Sequence, residues 1–121
     1  PLYSSAASDV YKRQPKLDEL FEKYALEVGE DVSHDDFGFG STDTGNVSHI
    51  VPTIHPHVKI GSRNLVGHTH RFREAAASVH GDQALIHGAK IIALMGLELI
   101  ENKGLFDEIV QQHSHIKGES K

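Results

Sequence analysis

Asp82-Gln83-Ala84-Leu85-Ile86-His87-Gly88-Ala89-Lys90-Ile91-Ile92-Ala93-Leu94-Met95-Gly96-Leu97-Glu98-Leu99-Ile100-Glu101 is the segment that decides the fold. Wound as an α-helix, its alanine, leucine, isoleucine and methionine side chains cover most of the circumference and leave a narrow polar strip. A helix with so wide an apolar side is ordinarily sandwiched between other elements. The rest of the chain offers one amphipathic helix and few strands, so part of this helix is left without an evident partner.

Working outward, Leu17, Leu20, Phe21, Tyr24 and Val28 form one apolar stripe at helical offsets, with Pro15 suited to the first position and Gly29 to the stop. Glu30, Asp31, Asp35 and Asp36 then read as a solvated acidic connector, and Gly38, Gly40 and Gly45 interrupt regular structure. Residues 40–49 are expected to be a loop that opens a helical turn at Thr42 or Asp43. The β-branched residues Ile54, Val58 and Ile60 predict a strand over 54–60, and Pro56 places it at a sheet edge; His55 and His57 would share one of its faces. A turn over 61–67, a short helix from Thr69 to Ser78 and a last helix from Leu105 to about His113 complete the pattern, followed by a polar tail at 118–121.

At 121 residues, with 38% hydrophobic and 24% charged side chains, the chain is sized for one domain. A net charge of -5 lacks the lysine and arginine excess that a phosphate-binding face needs, so nucleic acid is not an expected partner. With no cysteine, any metal must be held by histidine and carboxylate. The run from Ile91 to Leu97 is far short of the roughly 20 apolar residues that span a bilayer, so no membrane partner is expected and the location expected is cytoplasmic. Residues 1–14, PLYSSAASDVYKRQ, lack an initiator methionine and any apolar periodicity. They resemble a translated sequencing-adapter read-through and are expected to be a non-native leader; the domain is read over 15–117.

Neutral imidazole is the commonest metal-ligating side chain, yet ten histidines in one chain will fall near one another by chance. His113 and His115 read as solvated residues, and His80 and His87 as capping or hydrogen-bonded histidines of the long helix. His55 and His57 read either as the polar face of an edge strand or as a ligand pair, and His68 and His70 either as ligands or as loop residues. Ser41-Thr42-Asp43 reads either as a capping turn or as a polar pocket wall.

Two stretches carry a resemblance: GSTDTGNVSHIVPTIHPHVKI at 40–60 and GHTHRFREAAAS at 67–78. In this order, and followed by the long alanine-rich helix, they resemble the carboxyl-terminal part of the M20 metallopeptidase and amidohydrolase family, in the branch of aminobenzoyl-glutamate hydrolase and β-alanyl dipeptidases. The resemblance implies an α/β fold, part of a three-layer α/β/α sandwich that is mostly helical here with one or two strands. It implies two divalent metal ions, zinc or manganese, with His68 as the ligand this segment supplies. Gly40, Ser41, Thr42 and Asp43 become substrate-pocket residues, with Asn46 and His49 next to them. The implied reaction is hydrolysis of an N-acyl amino acid or dipeptide-like amide by a metal-activated water, in a parent that dimerises through a lid domain. The general-base glutamate and the remaining ligands belong to the family's amino-terminal half, so no residue here takes the catalytic role. One departure stands beside the implied ligand: His70-Arg71 occupies a step where that branch often has acidic or neutral residues.

Two readings from other classes remain. One is a stand-alone histidine-rich module that binds metal through His55, His57, His68 and His70, and the other is a helical interaction domain with incidental histidines.

Overall fold

A computed structural model of the protein describes residues 14–33, 44–61, 65 and 67–119. The regular structure among these residues is helical: α1 (Pro15–Glu27), α2 (Thr44–Ser48), α3 (His70–Ala76), α4 (Val79–Glu101) and α5 (Lys103–Glu119). The expected α/β sandwich with one or two strands is corrected to an all-helical arrangement, since no strand lies among the described residues. The side-chain alternation that suggested a strand does exist. Ile54, Val58 and Ile60 are half-buried, while His55, His57 and Lys59 are exposed. The His55 and His57 rings stack with centroids 5.2 Å apart, so they share a face as their spacing requires. A strand, however, is defined by its ladder partner, and Pro56 offers no N–H while no second strand is described to pair with it.

The first helix begins and ends as its sequence dictates. Pro15 occupies its first position, where a missing N–H costs nothing. At its end Gly29 takes φ 94°. Gly29 N–H donates to Leu26 O at 3.1 Å and Glu30 N–H to Ala25 O at 2.9 Å, the paired bonds of a Schellman stop. A Cβ at Gly29 would meet nothing within 4 Å. Gly29→Ala is therefore expected to cost about 1–2 kcal/mol from backbone strain alone, read as a lower urea midpoint with an unchanged slope.

Leu20 and Ala25 of α1 pack on Ile91 and Met95 of α4, and Leu17, Phe21, Tyr24, Val28, Val32, Ile54, Leu99 and Leu105 surround this core. α4 starts three residues earlier than Asp82 because Ser78 caps it, its Oγ accepting from Gly81 N–H at 3.1 Å and donating to Ala75 O at 2.6 Å. The first turn of α4 lies so close to the end of α3 that a Cβ on Gly81 would collide with the carbonyl oxygens of Ala75 and Ala76. After α4, Asn102 Oδ1 accepts from Leu105 N–H at 3.1 Å and opens α5. α5 packs on both α4 and α1. It continues to Glu119, past the expected end near His113, and buries Ile109.

Glu98 ties α4 to α1, accepting from Lys23 Nζ and from Tyr24 Oη, each at 2.6 Å. The hydrogen bond from Lys23, with that from Tyr24, holds the Glu98 carboxyl below its ordinary value of 4.5. The same carboxylate raises Tyr24 above 10.0 and Lys23 above 10.5. The carboxylate's contribution is present above pH 4.5 and disappears as pH falls through its lowered folded value; those of Tyr24 and Lys23 are present below 10.0 and 10.5 and disappear as pH rises through their raised values. Glu98→Gln is expected to lower Tm at pH 7, with the gap to the parent closing as the medium is acidified below that 4.5 reference. A pH-independent gap would assign the effect to packing instead.

The opposite side of α4 is uncovered: Leu85 is 73% exposed, Ile92 71% and Ile100 82%. By length and composition α4 is also the described helix long and apolar enough to cross a membrane, a property the shorter run from Ile91 to Leu97 did not suggest.

Candidate functional site

His68 is the sequence-predicted metal ligand, and its backbone is exceptional. At φ 62° it is the only non-glycine residue with positive φ among the described residues. Holding a non-glycine residue there costs on the order of 1–3 kcal/mol, and such strain concentrates at ligand-binding positions. The next residue, Thr69, caps α3: its Oγ1 accepts from Phe72 N–H at 3.2 Å. The cap fixes where the first turn of α3 begins and so places His70 and, three residues on, Arg73 along one side of that helix. His68, Thr69, His70 and Arg73 together line an open shelf on the surface.

The four pocket residues read from the sequence, Gly40, Ser41, Thr42 and Asp43, lie outside the described residues. α2 follows them directly, with half-buried Asn46 within it and half-buried His49 in the turn after it. α2 is held from a distance. His113 Nε2–H donates to Ser48 O at 2.7 Å, and Ser48 Oγ donates to Gly45 O at 2.6 Å. His113 is 6% exposed, which corrects the expectation of a solvated tail residue: α5 extends far enough to carry it under α2. No local signal marked this, because its burial is set by a partner 65 positions away.

His87 is hydrogen-bonded as expected, its Nδ1 2.6 Å from Glu30 Oε1, so Glu30 is part of a half-buried pair and not simply a solvated connector. A small cleft of about 60 Å³ beside this pair is lined by Glu30, Asp31, His57 and Lys59 over Ile91, room for about one or two waters. His55 and His57 stack on each other. Among the described residues no three histidine, aspartate or glutamate side chains gather into a group that could hold a metal ion. The four-histidine site of the stand-alone reading is therefore not assembled. The shelf presents two exposed imidazoles, His68 and His70, fewer than the about three or four donors that a useful metal site needs.

Arg73 is the shelf residue that sequence reading passed over. Its signal was the Thr69 cap, which sets Arg73 one turn further along α3.

In sequence the chain is similar to peptidases that act as dipeptidases. Over 70 residues, 58% of its length, it is 43% identical to a human (Homo sapiens) Xaa-Arg dipeptidase and 39% identical to a mouse (Mus musculus) Xaa-Arg dipeptidase. The match spans 16% of each of these relatives. No protein-family profile matches the chain.

Proposed function

We propose that the chain is the carboxyl-terminal part of an M20-type metal-dependent amidohydrolase that cleaves a dipeptide-like or N-acyl amino acid amide. The observation that carries the reading is His68: the residue at the motif's ligand position is the one held in a left-handed conformation on an open polar shelf. The similarity to Xaa-Arg dipeptidases supports the substrate class. His68 would hold one of two divalent ions, zinc or manganese, and Gly40 to Asp43 would line the pocket. Bound there, the metal would supply an activated water and polarise the scissile carbonyl. The parent would pair as a homodimer through a separate lid.

The test is to express the longest natural reading frame that contains this chain and to measure metal content and hydrolysis of Xaa-Arg dipeptides before and after chelation. Bound zinc or manganese and loss of turnover with a chelator are expected. Hydrolysis indifferent to chelation and to His68→Ala would end the proposal. A helical interaction domain is the second reading, favoured by the uncovered apolar side of α4; under it the same frame binds no stoichiometric metal.

A further inference from the structure

Arg73 shares the shelf with His68, and its side chain makes no hydrogen bond or ion pair among the described residues. Lys16, Lys23 and Lys103 are paired to Glu108, Glu98 and Asp107; Lys59, Arg71 and Lys90, like Arg73, make no ion pair among the described residues, and of these four Arg73 is the one that lines the shelf. On a chain of net charge -5, an exposed arginine with no partner among the described residues, flanked on its shelf by two histidines and a hydroxyl, makes a local site for an anion. A guanidinium is a planar fork that matches the two oxygens of a carboxylate, and it is more weakly hydrated than an ammonium, so it gives up water readily to such a partner. Glu74, the adjacent carboxylate in the sequence, is exposed and forms no ion pair with it.

We infer that Arg73 is the specificity-determining residue of the shelf: it takes the free carboxylate of an N-acyl amino acid or dipeptide, leaving the amide toward His68. The carboxylate contact stands on the shelf alone, whereas calling its ligand a substrate rests on the hydrolase reading. The Thr69 cap makes the arrangement specific, since it fixes the turn of α3 from which Arg73 projects, and a loop arginine would carry no such register.

The test is a titration of the ¹⁵N-labelled chain with N-acetylglycine and, in a second sample, with N-acetylglycinamide, which keeps the amide and removes the charge, at constant ionic strength. Saturable shifts of the Arg73 Nε–H and of the Thr69 to Phe72 amides are expected with the acid only. Arg73→Gln should weaken them by about tenfold or more, the loss of a charge-assisted hydrogen-bonded pair, with Arg73→Lys in between. Arg73 is exposed, so unchanged far-UV circular dichroism should accompany the variants. Equal shifts from both compounds, an unaltered response in Arg73→Gln, or an equal response to inorganic sulfate would each overturn the assignment. The hydrolase reading is tested apart, by the metal content of the longest natural reading frame: no bound metal with the carboxylate response intact removes the metal reading alone, and bound metal without that response removes Arg73 alone.

Discussion

Ile91→Ala is expected to lower the free energy of unfolding by about 2–5 kcal/mol, while the same substitution one residue later, at Ile92, stays within about 0.5 kcal/mol. Ile91 is 0% exposed and Ile92 71% exposed. Ile91 is the most buried side chain of α4, clustered with Leu20, Ala25 and Met95. Truncation there removes apolar area from a core of few fully buried residues, and neighbours held by helix geometry cannot collapse into the space. Ile92 points into the uncovered face, so its removal takes little that was buried. Ile92→Glu should even raise solubility at constant helicity, whereas Ile91→Glu should abolish cooperative unfolding. Urea titrations followed at 222 nm decide the matter, and equal losses at the two positions would mean that α4 presents a different side to α1.

At His68 the expected result is a trade between stability and binding. His68→Gly releases a side chain from φ 62° and should leave stability unchanged or raise it by up to about 1 kcal/mol, because glycine adopts this backbone without steric cost. In the longest natural frame the same variant should lose metal-dependent turnover by more than about 100-fold, since even residues that only orient a metal ligand are worth about 10–100-fold. His68→Ala should show the functional loss without the stability gain, as alanine remains strained. A His68→Gly protein that melts lower yet keeps full activity would mean that the imidazole packs and does not ligate.

What could be read from residues alone follows from how local each cause is. Pro15, Gly29 and the stripe from Leu17 to Val28 specify α1 by short-range rules, and α1 has those bounds to within a residue or two. The apolar density of α4 made its existence plain, and the excess width noticed in the sequence corresponds to the uncovered Leu85, Ile92 and Ile100. α4 starts earlier than its apolar pattern alone indicates because Ser78, at the end of the preceding helix, also caps α4, its hydroxyl donating to Ala75 O and accepting from Gly81 N–H. The strand over 54–60 failed for the opposite reason: alternation is local, but pairing is not. His113 likewise takes its character from Ser48, far away in sequence. At the candidate site, the motif singles out His68, and the structure places it on the shelf; the company of Arg73 required the cap geometry of Thr69.

The tight corner at Gly81 bears on which parts of the molecule can open independently. Backbone amides of α4 around Ile91 and Met95 should exchange with deuterium only through global unfolding, because α1 covers them. α3, a seven-residue helix with no buried residue, should exchange far sooner. The corner nevertheless admits no side chain between α3 and α4, so the shelf has no slack at its base. It can fray from its His68 end while staying anchored at Ser78, like a page that lifts only at its free edge.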